Sequence, residues 1–209
     1  MTDVVIIGGG PAGITAGVML QKKGFRTCII DWQIFPREKL CAGVVTTKTM
    51  KLIEYIYKGL NIEDLEMNYI NKIEMFYKDT IIGKYTVKNR YGVVNRKKFD
   101  NVLLKYYRDS GGRLLDGQKQ YQIYYDKNMV TLDSGEEIKY DFLIGADGIN
   151  SRVRTYVQRK WKSSILCFEK FIPNDLKENT IKIYFGLMLG GYGWRIPGKD
   201  RIGFGLGEF

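Results

Sequence analysis

One stretch constrains this chain more than any other: Asp3 to Asp31, DVVIIGGGPAGITAGVMLQKKGFRTCIID. Val4 to Ile7 is a short apolar run rich in β-branched residues, the pattern of a buried parallel strand. Gly8, Gly10 and Gly13 follow with GxGxxG spacing, and Pro11 stands where the first turn of a helix tolerates a missing N–H. The first glycine permits a sharp turn and the second lets backbone approach a pyrophosphate. The third lets the helix pack close to the strand. Ala16, Gly17 and Leu20 continue at helical spacing, Gly24 marks a stop, and Phe25 to Ile30 reads as a second strand. Asp31 ends that strand eighteen residues after Gly13, where a carboxylate can take the two hydroxyls of an adenosine ribose. The order strand, glycines, helix, strand, acid predicts a dinucleotide site with its phosphates at the helix N-terminus. The plainer alternative is a glycine-rich turn in an ordinary α/β domain.

Bulk properties narrow the class. A length of 209 residues suits one domain, or one domain plus part of another. Lys+Arg number 33 against 23 Asp+Glu, and the excess favours anionic partners such as phosphates or acidic membrane surfaces. The basic residues are scattered and form no tail, so a solvated face serves equally well and no nucleic-acid partner is expected. Cys28, Cys41 and Cys167 have no CxxC spacing, which points away from a disulfide framework or a zinc site and towards a reducing cytoplasm. Histidine is absent, which excludes His-based triads and His-ligated metals; no metal site is expected. The apolar run Val4 to Leu20 carries the glycine fingerprint and lacks a basic leader, so it reads as strand-turn-helix rather than a targeting segment.

Along the chain, Pro36 and its charged neighbours mark a loop, and Thr46 or Thr47 can cap a helix reaching about Tyr57. Asn71 to Tyr77 and Thr80 to Val87 read as a hairpin. Asn95 is an N-cap for a helix from Arg96 to Asp109 that Gly111-Gly112 ends, with Phe99, Val102, Leu103 and Tyr106 as its core stripe. Short strands follow near Leu114–Leu115, Gln120–Tyr125 and Met129–Leu132. Tyr140 to Asp147 is another buried strand running into the glycine turn GADGINSRVR, where Asn150 or Ser151 can cap a helix. Beyond Ser163, four segments (Ile165–Ile172, Ile181–Met188, Tyr192–Ile196 and Ile202–Leu206) read as successive strands, and the pattern is that of an incomplete β-rich domain.

Three separated motifs, GGGPAG with Asp31, the PREKLCAG loop and FLIGADGINSRVR, together resemble FAD-dependent oxidoreductases of the aromatic-hydroxylase-like fold. Within that superfamily the chain is most similar to the geranylgeranyl reductase family. The narrower likeness rests on Cys41-Ala42-Gly43, on the Arg96-x-x-Phe99-Asp100 helix start, and on Tyr192-x-Trp194-x-Ile196-Pro197, where Ile196 replaces the family's aromatic. Proteins of this family carry a second, Gly-Asp-Ala type FAD motif downstream of the Tyr-x-Trp strand. The chain stops before it, as a fragment or a shortened relative would.

The resemblance implies an α/β fold: an FAD-binding, Rossmann-like domain of glutathione-reductase type with an incomplete β-rich substrate region. Residues 1–160 would form the FAD-binding domain, with an inserted hairpin at about 70–88 belonging to the substrate region, and 161–209 the partial substrate-binding region. Gly8, Gly10, Pro11, Ala12 and Gly13 would hold the FAD pyrophosphate and Asp31 the ribose. Arg37 would reach the phosphates, or remain a solvated loop arginine. Arg96 would touch FAD at its helix start, where a basic side chain gains nothing from the helix dipole. Asp147 and Gly148 would lie close to the cofactor, or Asp147 would simply cap the following turn. Cys41, Ala42 and Gly43 would line the flavin ring, with Cys41 as proton donor or as a small buried apolar residue. Cys28 and Cys167 read as core. Tyr192 and Trp194, on one face of a strand, would contact an isoprenoid or other apolar substrate, or be core aromatics.

The implied function is hydride transfer from reduced FAD to a carbon–carbon double bond of an isoprenoid chain, with NAD(P)H or ferredoxin as electron donor. The implied location is cytoplasmic, with peripheral membrane contact. A flavin monooxygenase or halogenase of the same fold, and a non-catalytic module binding FAD or only its ADP half, are the alternatives.

Overall fold

The computed structural model describes residues 2–157 and 164–208. They divide into two compact units, Met1–Arg37 with Asp100–Lys162, and Glu38–Phe99 with Ser163–Phe209. A boundary between 160 and 161 falls outside the described residues. The sequence assigns only a hairpin near 70–88 to the second region, whereas 38–99 as a whole belongs to the second unit. The reason is pairing between segments about a hundred residues apart, which local periodicity does not register.

The first unit is built on four parallel strands: β1 (Val4–Ile7), β2 (Thr27–Ile30), β6 (Arg113–Leu115) and β10 (Phe142–Gly145). Their order is β10-β1-β2-β6, with the glycine-bearing strand β1 inside the sheet. Val4 to Ile7 are buried on both faces, which is why the run is continuously apolar. Helix α1 (Pro11–Gln21) buries Gly13, Ile14, Gly17 and Val18. Helix α3 (Arg96–Asp109) buries Leu103, Leu104 and Tyr107 rather than Val102 and Tyr106, so the predicted stripe is displaced around the helix. Tyr107 can be buried because its hydroxyl lies 3.0 Å from Thr27 Oγ1 and 3.0 Å from the Arg113 carbonyl, while its ring covers Gly17.

An antiparallel meander, β7 (Tyr121–Tyr124), β8 (Met129–Leu132) and β9 (Glu137–Lys139), completes this unit, together with helix α4 (Arg152–Val157). Val130, Leu132 and Ile138 join Val5, Ile7, Cys28 and Ile30 in one core cluster. Strand β9 has no counterpart in the sequence reading, because three residues, EIK, carry no usable alternation.

The second unit is a seven-stranded sheet of order β11-β14-β13-β12-β4-β5-β3. Its strands are β3 (Val44–Val45), β4 (Asn68–Tyr77), β5 (Thr80–Val93), β11 (Leu166–Pro173), β12 (Ile181–Phe185), β13 (Gly191–Pro197) and β14 (Arg201–Glu208). Helix α2 (Thr47–Ile56) is capped by Thr46, whose hydroxyl accepts from the Thr49 amide at 3.2 Å. Strands β4 and β12 pair in parallel, Ile73 with Ile181 through Tyr77 with Phe185. Ile70, Val93, Ile181 and Ile196 form the core here, with Ala42, Ile73, Ile183 and Trp194 packed against them. Cys167 corrects the sequence reading: β11 is an edge strand, and this thiol is exposed rather than core.

Among the described residues, no helix is long and apolar enough to cross a membrane, and no group of three His, Cys, Asp or Glu side chains is placed to hold a metal ion.

Candidate functional site

In the first unit the glycine turn, the end of β2 and the GADG turn meet at the C-terminal edge of the parallel sheet, the edge at which doubly wound sheets bind ligands. Gly8 has φ +107°, and a Cβ there would lie 2.3 Å from the Ala146 carbonyl oxygen, so neither another conformation nor another side chain fits. A Cβ on Gly13 would lie 1.9 Å from the Gly8 oxygen, which is the close helix–strand packing the spacing predicts. Gly10 differs. A Cβ there would have nothing nearer than Arg37 Nη2 at 3.8 Å, so the first turn of α1 opens onto free space beside a guanidinium. Pro11 is the first residue of α1 and Ala12 is exposed beside it.

Asp31 is buried and holds the turn in shape. Its Oδ2 accepts from the Gly9 amide at 2.6 Å and its Oδ1 from the Gln33 amide at 2.8 Å. A carboxylate has about four acceptor positions, so both oxygens retain capacity for a hydroxyl. Arg37 is a buried side chain rather than a solvated one. Its Nη1 is 3.3 Å from Asp100 Oδ2, and both side chains are almost wholly buried. Its guanidinium carbon stands 4.8 Å above the Phe35 ring. Nevertheless Arg37 Nε and Nη1 have no hydrogen-bond acceptor. Buried guanidinium donors without an acceptor, next to an open glycine at a helix N-terminus, match a bound phosphate.

Asp147 is engaged locally. Its carboxylate accepts from Ser151 Oγ at 2.5 Å and from the Arg152 amide at 2.7 Å, and Ser151 in turn accepts from the Arg154 amide. The residue caps α4, and Gly148 beside it has φ +81°.

The remaining predicted residues lie in the second unit. Gly43 has φ +77°, and its carbonyl accepts from the Val94 amide at 3.0 Å. A Cβ there would lie 2.1 Å from the Val94 oxygen. Ala42 packs against the same apolar cluster as Trp194, and Cys41 between Leu40 and Ala42 is a partly exposed free thiol. Arg96 opens α3 after Asn95, whose side chain accepts from the Lys97 amide.

Tyr192 and Trp194 share a strand face with ring centroids 5.8 Å apart. The Trp194 indole lies over Gly205 and donates to Glu169 Oε1 at 3.1 Å. Partial burial pushes the Glu169 carboxyl above its ordinary value, against the opposing pull of that indole bond. Trp194 lines a cavity of about 770 Å³; Tyr192 is not part of its wall. Across five strands the register sets Phe76, Tyr184, Gly193, Leu206 and Phe168 in one row, and all five line it. The row carries no side chain at Gly193.

The sequence reading does not include Gly9, Phe35 or Asp116: the Gly9 amide donates to Asp31, the Phe35 ring lies against Gly9, and the Phe35 amide donates to Asp116 Oδ2 at 3.0 Å. Asp100 carried a signal in the Arg-x-x-Phe-Asp helix start, yet its partner Arg37 is not readable from that motif.

The chain belongs to the FAD binding domain family, whose profile matches residues 1–168. FAD is its cofactor. It is 32% identical over 207 residues to an uncharacterised protein of Methanosarcina barkeri, covering 96% of this chain and 52% of that protein. It is 26% identical over 230 residues to the menaquinone reductase of Mycobacterium tuberculosis (98% and 54% covered). It is also 26% identical over 226 residues to the chloroplastic geranylgeranyl diphosphate reductase of Nicotiana tabacum (98% and 48%). The chain thus spans about half the length of the curated relatives it matches. In fold it matches 2-methyl-3-hydroxypyridine-5-carboxylic acid oxygenase with a TM-score of 0.80 at 18% identity, covering 100% of this chain and 59% of that one.

Proposed function

We propose that the protein reduces carbon–carbon double bonds in an isoprenoid chain. The observation that carries this reading is the cavity of about 770 Å³ in the second unit, floored by Phe76, Tyr184, Leu206 and Phe168 and walled by Trp194. A largely apolar groove of this size accepts a polyprenyl chain, with Lys78, Asp79, Glu169 and Lys170 as the charged residues of its lining. Relatives named for geranylgeranyl diphosphate and for menaquinone, both polyprenyl compounds, support it.

FAD, bound and reduced, supplies the hydride in such chemistry. The chain's own residues would do the rest. Gly8, Gly10, Pro11, Ala12 and Gly13 would present backbone to the pyrophosphate, Arg37 would neutralise it with the donors that have no protein acceptor, and Asp31 would accept from the ribose hydroxyls. Asp147 and Gly148 would shape the neighbouring turn, and Ala42, Gly43 and Arg96 are assigned to the cofactor by family resemblance. Cys41, a free and partly exposed thiol, is the candidate to deliver the proton that completes the reduction. NAD(P)H or ferredoxin would supply the electrons.

The test is anaerobic. Dithionite-reduced protein is mixed with geranylgeranyl diphosphate and the product mass is followed. Gain of one H₂ per reduced bond supports the reading. No mass change, with substrate-dependent oxygen uptake by the aerobic protein on an aromatic panel, would replace it with monooxygenase chemistry.

A further inference from the structure

We propose that Trp32 is the stacking platform for the adenine of FAD. The residue follows Asp31 directly, in a turn that hydrogen bonds tie to the end of β6. The Asp31 amide donates to the Leu115 carbonyl at 3.0 Å, the Gln118 amide to the Asp31 carbonyl at 3.0 Å, and the Gly117 amide to the Gln33 carbonyl at 3.2 Å. The Phe35 amide reaches Asp116 Oδ2 at 3.0 Å. Ile34 leans on Gly117, where a Cβ would lie 3.0 Å from its Cγ1. Residues 31–35 and 115–118 therefore hold one another in place through their backbones. The Trp32 side chain takes no part in this and is 61% exposed. A single exposed apolar residue needs no explanation as such. Tryptophan, however, is highly buried on average, and here a tethered turn holds one open to solvent beside the cofactor carboxylate.

The chemistry of the neighbouring carboxylate says what such a side chain meets. Asp31 Oδ2 accepts from the Gly9 amide and Oδ1 from the Gln33 amide, and both oxygens keep capacity for the ribose hydroxyls. The first bond sets the carboxylate against the glycine turn; the second sets it against the turn that carries Trp32. Adenine is bonded to that same ribose, so the base lies one sugar away from the residue that precedes Trp32. A base offers a flat π-face, and base–aromatic stacking is strong enough to shift affinity by an order of magnitude. An indole turns about only two side-chain bonds, so ordering it against a base costs little entropy. The indole is uncharged and would leave the phosphate charge to Arg37 and the helix N-terminus.

The proposal rests on the assignment of Asp31 to the ribose and takes nothing from the reductase reading. The experiment titrates ADP into the full chain freed of flavin, followed by tryptophan emission and by calorimetry. ADP carries the adenine, ribose and diphosphate without a flavin that would absorb the emission. ADP is expected to quench the wild-type emission. Trp32→Phe keeps a ring, so it should bind ADP within about threefold of the wild type while the quench disappears. Trp32→Ala should bind ADP and FAD about tenfold more weakly. Both variants should keep the wild-type Tm, because the side chain already faces solvent. Trp32→Ala that binds ADP as tightly as the wild type overturns the proposal, as does wild-type emission that saturating ADP leaves unchanged. A lower Tm in Trp32→Ala also overturns it, since Trp32 would then be a packing residue. ADP binding that weakens in Asp31→Asn but not in Trp32→Ala would keep the ribose assignment and remove Trp32 alone. No substrate is turned over, so none of these outcomes bears on the reductase reading.

Discussion

Arg37 and Asp100 form an ion pair closed off from solvent, 3.3 Å from Nη1 to Oδ2, and the same guanidinium lies closest to the open glycine of the phosphate turn. One side chain thus joins a buried ion pair and stands beside the turn proposed to hold the cofactor phosphates. Arg37→Ala removes the guanidinium from beside a buried carboxylate, which is expected to destabilise the protein by about 3–5 kcal/mol. Arg37→Lys keeps a charge but loses the planar fork, so FAD affinity is expected to fall further than stability does. Urea unfolding and flavin-fluorescence titration separate the two effects; equal FAD affinity in Arg37→Lys would remove Arg37 from the phosphate site.

Gly10 and Gly13 make a contrasting pair. Gly13→Ala drives a methyl group to 1.9 Å from the Gly8 oxygen and is expected to cost roughly 1–3 kcal/mol or more, with flavin lost as a consequence. Gly10→Ala meets no atom within 3.4 Å, so its Tm should match the wild type while FAD affinity drops at least about tenfold, because the methyl occupies the approach to the pyrophosphate. A Gly10→Ala protein that purifies yellow and stoichiometric would refute this placement.

The three thiols should separate by reactivity. Burial pushes the Cys28 thiol up to about 11, so it stays protonated and inert at pH 8, whereas Cys167 is exposed and should label first with a disulfide reagent. The linkage has a definite sign. Between an ordinary thiol value and about 11 the folded chain retains a proton that the unfolded chain releases, so stability falls as pH climbs through that window. Cys28→Ala should abolish that share of the slope; an unchanged slope between wild type and variant would contradict the assignment.

Trp194→Phe keeps an aromatic in the cavity wall but removes the indole donor to Glu169. KM for a polyprenyl substrate is expected to rise by about tenfold, the scale of a modest change in an apolar pocket, with FAD content unaltered. Glu169, already raised by burial, should climb further, so the variant's stability should decline more steeply than the wild type's as pH rises above the ordinary carboxylate range. Glu169→Gln should flatten that dependence.

Cys41→Ala tests the proton donor. Loss of general-acid assistance is expected to lower kcat by about 10²-fold or more while leaving KM nearly unchanged. An unchanged kcat would return Cys41 to the role of a small packing residue.

The strand-turn-helix unit from Val4 to Asp31 was largely legible in the sequence because its determinants are local. Gly8, Gly10, Pro11 and Gly13 act within one strand-turn-helix, and Asp31 closes the same βαβ unit, so spacing alone carries the geometry. The capping of α2 by Thr46 and of α4 by Ser151 belongs to the same kind of evidence.

What lay beyond the sequence was decided over distance. That 38–99 joins 163–209 depends on β4 pairing with β12, and no periodicity within either strand reports its neighbour. The exposure of Cys167 follows from β11 standing at the sheet edge, which is a property of strand order rather than of the apolar run that contains it. The buried partnership of Arg37 with Asp100 joins a loop to a helix sixty-three residues later, and Tyr107 displaces Tyr106 from the core because Thr27 and Arg113 satisfy its hydroxyl. Chain-local spacing set the glycine turn; the partners of each strand and of each buried polar group were chosen only when distant segments packed together, since burial and hydrogen-bond satisfaction are properties of the assembled fold.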